Sequence, residues 1–90
     1  MNKERRKWIE ETYNKISELR EQLDELKCDV ESIQEEEDDY RDNIPEQFQE
    51  TDRYYNSESD SENLGYAIDD LDSALDSIDD ALGYLETAQE

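Results

Sequence analysis

Two apolar seams at heptad spacing constrain this chain more than any other feature. In the first, Ile9, Thr12, Ile16, Leu19, Leu23, Leu26, Val30 and Ile33 alternate steps of three and four residues. Steps of that kind over about four heptads are the a/d pattern of a helix that packs along its whole length on another. In the second, Leu64, Ile68, Leu71, Leu75, Ile78, Leu82 and Leu85 do the same, and the repeat is legible as YAIDDLD, SALDSID, DALGYLE. Two such segments in one short chain predict an all-α, antiparallel helical hairpin. The second repeat also sets Ala67, Ala74, Ala81 and Ala88 at one register beside the seam. Small residues there widen the apolar face and allow another helix close approach. One hairpin would leave much of that face wet, so the pattern predicts a homodimer, a four-helix bundle with Ala67, Ala74 and Ala81 at its interface.

The segment between the seams holds the only proline, in DNIPEQF. Pro45 disfavours helical backbone at Ile44, which places the end of the first helix near Arg41 or Asp42. A structureless connection over residues 34–63 would be implausibly long. The expected organisation is therefore one domain over 1–90, with a helix from about 3 to 41, an acidic loop from about 42 to 51 and a helix from about 52 to 88. Tyr40 then falls at a d position and Tyr54 at an a position. Residues 57–63, SESDSEN, are weak helix formers, expected to fray or kink. Ile44 and Phe48 are expected to plug the loop end and Trp8 to cover the other. Leu23, Leu26, Leu71 and Leu75 are expected among the most buried residues.

Ninety residues are too few for a large core or a buried catalytic cleft, and no enzyme is expected. There is no histidine and a single cysteine, Cys28, at an outward position, so zinc sites, cysteine–histidine catalysis and an internal disulfide are not expected. DSENLGYAIDDL has the acids and the glycine of a calcium loop, but leucine where the loop needs its bidentate glutamate. No metal or cofactor is expected. No apolar run approaches transmembrane length and no signal-peptide core follows the basic start, which predicts residence in the cytoplasm of the host cell.

The charge is the second constraint. Nine bases against 29 acids give a net charge of −20. Nucleic acid and anionic membrane would be repelled; a basic surface, of which nucleic-acid-binding proteins are the commonest source, would be attracted. The excess is regional: residues 1–33 hold 7 bases and 9 acids, residues 34–90 hold 2 bases and 20 acids. The first helix even opposes its own dipole, with Lys3, Arg5, Arg6 and Lys7 at its start and Glu35, Glu36, Glu37, Asp38 and Asp39 near its end. Antiparallel pairing would bring the basic start near Glu86 and Glu90. On the second helix Asp69, Asp72, Asp76 and Asp79 fall in one stripe, flanked by Asp70, Asp80 and Glu86. Carboxylates recurring about every 5 Å along the axis approach the spacing of backbone phosphates on a DNA strand. Aspartate holds its charge on a short stem, close to the backbone. The stripe and the pole at Glu35–Asp39 are thus the candidate partner-binding residues. A solvated face, or adaptation to salt, is the plainer account, and Lys3, Lys7, Lys15 and Lys27 weaken the salt version.

The opening MNKERRKWIEE, the centre YRDNIPEQFQETDR and the Ala/Leu heptads of 67–88 resemble a group of short acidic proteins from phages and prophages of Gram-positive bacteria. The resemblance spans most of the chain and implies a mobile-element origin. By charge and size the chain also resembles the DNA-mimic inhibitors that phages deploy against restriction, CRISPR or repair nucleases. The leading expectation is an inhibitor that occludes the nucleic-acid-binding groove of a host defence or DNA-processing protein. Two alternatives stay open: a structural or adaptor coiled coil, and an antirepressor sequestering a transcription factor.

Overall fold

The computed structural model describes all 90 residues. Helix α1 runs Lys3–Asp42, a single 3-10 turn spans Glu46–Phe48, and helix α2 runs Asp52–Gln89. The two helices form an antiparallel hairpin with extents of 70 × 14 × 13 Å. Its radius of gyration is 20.3 Å, where a globular chain of this length would have about 12 Å.

Local chemistry sets the ends. The Asn2 side chain accepts the Arg5 backbone N–H at 2.8 Å, satisfying one of the orphan donors of the first turn. At the other end Pro45 forces extended backbone before it. The Asn43 N–H reaches back to Asp39 O at 3.1 Å and the Ile44 N–H to Arg41 O at 3.0 Å, closing α1 just short of the proline. Ile44 is 3% exposed and seals the loop end. Phe48 does not join it: half its surface is exposed, because the 3-10 turn carries it outward. Residues 57–63 neither fray nor kink. They lie inside an unbroken α2, since Ser57 and Ser61 face α1 and tertiary packing overrides weak propensity.

Helix α2 meets α1 along the a and d positions of its repeat, Tyr54, Ser57, Ser61, Leu64, Ile68, Leu71, Leu75, Ile78, Leu82 and Leu85, all half-buried or buried. Helix α1 does not reciprocate. It presents its a column, Ile9, Ile16, Leu23 and Val30, together with the next column round, Tyr13, Arg20, Lys27, Gln34 and Arg41. Leu19, Leu26 and Ile33, expected inside, are 60%, 57% and 53% exposed. Leu26 in particular is no core residue; Leu75 is, at 4% exposed, while Leu23 and Leu71 are half-buried. The reason is a rotation of α1 by about one column of the helical wheel, which turns the d column out and the following column in. Trp8 stays exposed and covers nothing.

The interior changes character along its length. Toward the open end it is leucine and isoleucine, and toward the loop it is polar. There Gln34 Nε2 donates to Ser61 O at 3.0 Å, and Arg41 donates to Ser57 O at 3.3 Å and to Asp38 at 2.9 Å. The Ser61 hydroxyl donates to the same Asp38 carboxylate at 2.5 Å. Gly65 lets Gln34 in: a Cβ at that position would lie 3.2 Å from Gln34 Nε2. Only the buried Ser57 hydroxyl lacks a partner. No helix is long and apolar enough to cross a membrane.

Candidate partner-binding surfaces

The acidic stripe is not one surface. Asp72 and Asp79 sit a heptad apart at the edge of the seam, and each is held by a cation from α1, also a heptad apart. Arg20 donates Nε and Nη2 to the two oxygens of Asp79 at 2.9 and 3.2 Å, a bidentate pair. Lys27 bonds Asp72 and lies 3.4 Å from Glu31 of its own helix. Arg20 similarly approaches Asp24, at 4.0 Å. The hydrogen bond from Arg20 holds the Asp79 carboxyl below the usual carboxylate range, and the bond to Asp72 pushes the Lys27 ammonium up. These two aspartates fasten the hairpin.

The remaining members of the stripe are free. Asp69, Asp70, Asp76, Asp80 and Glu86 are exposed and take part in no ion pair. Asp69 and Asp76 continue the column of Glu62 at seven-residue steps, about 10.5 Å along the axis. Across the Arg20 and Lys27 bridges stand Asp24 and Glu31. Each bridge therefore joins two carboxylates to one cation and keeps one net negative charge. The result is a flank lined on both sides by acids, with the cations sunk between them. Arg20, Lys27, Asp24 and Glu31 belong to it, although the aspartate stripe of α2 alone does not point to them. Their signal was there: a base and an acid four residues on, repeated seven residues later.

The acidic pole divides in the same way. Asp38 is tied to Ser61 and Arg41, which hold its carboxyl below the usual range. Glu35, Glu36 and Asp39 are exposed and Glu37 half-buried, all without ion pairs. At the opposite pole Lys3, Arg5, Arg6 and Lys7 are exposed and make no ion pair with Glu86 or Glu90. Their expected ion pairing with the end of α2 is absent, because at the register of the Arg20–Asp79 and Lys27–Asp72 pairs the first turns of α1 overhang the level of Glu86 and Glu90.

The other flank of the hairpin is apolar. Tyr40, in the d column of α1, accepts a hydrogen bond from Arg53 and lies under its guanidinium, 5.0 Å from ring centroid to Cζ. Arg53 heads the column that continues, seven by seven, through Asp60 to Ala67, Ala74 and Ala81. The exposed Leu19, Leu26 and Ile33 thus lie beside Ala67, Ala74 and Ala81, on the side away from the Arg20–Asp79 and Lys27–Asp72 bridges. Ala74 is half-buried, and Ala67 and Ala81 are exposed. The one concavity, lined by Gln34, Arg41, Tyr55, Glu58, Ser59, Ser61 and Glu62, is open and polar. No protein-family model, curated protein or solved structure matches the chain.

Proposed function

We propose that the chain is a phage-type DNA mimic that inhibits a host defence or DNA-processing protein by occupying its nucleic-acid-binding groove. One observation carries the reading. A net charge of −20 along a rod 70 Å long is one charge per about 3.5 Å, against one per about 3.4 Å on a DNA strand. The free carboxylates of Asp69, Asp76 and Glu62 on α2, together with Asp24 and Glu31 of the Arg20 and Lys27 bridges on α1, line one flank in rows. A bundle whose hairpins are each 14 Å wide is slender enough to enter a groove built for duplex nucleic acid. Inhibition is stoichiometric and needs no cofactor. It takes place in the cytoplasm of the host, and the inhibitor acts as a homodimeric four-helix bundle. The adaptor reading draws on a different observation, the exposed Leu19, Leu26 and Ile33 column, which invites assembly.

Neutralising Asp69, Asp70, Asp76 and Asp80 together to Asn tests mimicry without touching the bridges of Asp72 and Asp79. Asparagine matches aspartate in shape and in helix propensity, so the helical circular dichroism should persist. The unaltered chain should capture its target from host lysate at low salt and release it to duplex DNA or to raised salt. The substituted chain should capture at least tenfold less. Capture unchanged by the substitutions, with Glu35, Glu36 and Asp39 neutralised as well, removes the mimic reading and leaves the adaptor.

A further inference from the structure

We propose that the apolar flank is the seat of a second copy of this chain, docked with both loop ends at the same end of the bundle. The inference rests on the homodimer above and is independent of mimicry. Three observations converge on it.

The first is an incomplete core. Only Ile44, Leu75 and Leu82 among the apolar residues are buried, while Leu19, Leu26 and Ile33 stand more than half exposed. Apolar side chains at strict seven-residue steps on one helix form a ridge, and a ridge of this kind is covered by another helix. The second is size. From Thr12 to Tyr40 the flank is about 42 Å long at 1.5 Å per residue. On a body 14 Å wide, two such flanks remove on the order of 1,200 Å² from water, the lower bound of a stable specific interface.

The third observation selects the occupant and its orientation. The pairs Arg20–Asp79 and Lys27–Asp72 fix the levels at which the helices lie side by side. At those levels Leu19 stands near Ala81, Leu26 near Ala74 and Ile33 near Ala67. Each level of the flank therefore carries one large and one small residue. A two-fold axis along the rod places α1 of each copy opposite α2 of the other. Leu26 then enters the space over the partner's Ala74, and the partner's Leu26 enters the space over Ala74. The flank is complementary to itself, as an isologous contact requires. With the poles reversed, α1 would face α1 and α2 would face α2, so that leucine would meet isoleucine and Ala74 would meet Ala67, large against large and small against small. Two hairpins side by side also carry twice the charge on the same length, one per about 1.7 Å, which is the density of duplex DNA. The acidic flanks stay outward on both.

The experiment uses the full chain with Cys28→Ser. Light scattering should give the mass of two chains at micromolar concentration, with salt tightening the dimer by screening its own repulsion. Leu26→Glu, on a side chain that the hairpin leaves exposed, should return the mass to one chain with unchanged helical circular dichroism. Chains carrying Leu26→Cys and chains carrying Ala74→Cys, each in the Cys28→Ser background, are then mixed, refolded together and oxidised. A disulfide between unlike chains is the expected product. Cross-linking of Leu26→Cys chains to Ile33→Cys chains, with none to Ala74→Cys chains, would show reversed poles and overturn the docking while keeping a dimer. A one-chain mass at every concentration and salt overturns the docking and the homodimer together, and leaves the capture experiment above unaffected.

Discussion

Leu19–Arg20, Leu26–Lys27, Ile33–Gln34 and Tyr40–Arg41 are four neighbouring pairs, each an apolar residue followed by a polar one, spaced by sevens along α1. In every pair the polar member packs against α2 and the apolar member is the more exposed. A hairpin governed by burial alone would choose the other column, since covering a leucine is worth about 1.5–3 kcal/mol. What the polar column gains is geometry. Arg20 and Lys27 lay their stems over the seam and end on Asp79 and Asp72, while Gln34 and Arg41 satisfy backbone carbonyls of α2 beside Gly65 and the two serines. Long cationic side chains can cover apolar surface with their methylenes and still bring the charge to a partner. The lesson is that the apolar column is not the interior of this hairpin but its outward ridge.

The largest expected effect separates the two columns directly. Leu75→Ala should cost about 2–5 kcal/mol, because the side chain is enclosed and its site cannot collapse around the loss. For a domain with so few buried residues that is enough to unfold much of the population at 37 °C. Leu26→Ala should leave the hairpin itself nearly untouched, so its melting temperature should fall only in proportion to the dimer lost and should depend on protein concentration. Thermal unfolding at several concentrations checks both. Equal, concentration-independent losses for the two would abolish the distinction.

A smaller effect probes the polar interior. Ser57 carries a buried hydroxyl with no partner. Ser57→Ala removes that unsatisfied group and improves helix propensity, and should stabilise the fold by about 1 kcal/mol in urea titrations. A loss instead would mean that the hydroxyl is solvated or bonded in solution.

The smallest effect concerns a bridge. Asp79 is depressed in the folded chain by its bond to Arg20. A carboxylate whose folded pKa lies below its unfolded value contributes stability above about pH 4, and that contribution vanishes as pH falls through the folded value. The gap in melting temperature between the unaltered chain and Asp79→Asn should therefore be constant from neutral pH to about pH 5 and close below about pH 4. A gap that persists in acid would mean that Asp79 acts by packing rather than by charge.

Much of the candidate site was legible in the sequence, but only as an inventory of charges. Asp69, Asp70, Asp76 and Asp80 are free carboxylates, as a solvent-facing stripe implies. Asp72 and Asp79 share that stripe by spacing, yet they fasten the helices. The repeat sets Asp72 and Asp79 at the edge of the seam and Asp69 and Asp76 a column farther out, but whether an edge aspartate is held depends on Arg20 and Lys27, about fifty residues away in sequence.

The sequence by itself determined two long helices, the turn between them and the face of α2 that meets α1. Those follow from short-range causes: the period of the apolar residues, the Asn2 cap, and the proline that bars helical backbone at Ile44. Only the tertiary structure decided which two columns of α1 turn inward. A helix can rotate about its axis by one column without changing a single backbone hydrogen bond, so local chemistry does not distinguish the two settings. The choice falls to side chains that meet across the hairpin, Arg20 with Asp79, Lys27 with Asp72 and Gln34 against Gly65, and those meetings exist only once the chain has folded back on itself.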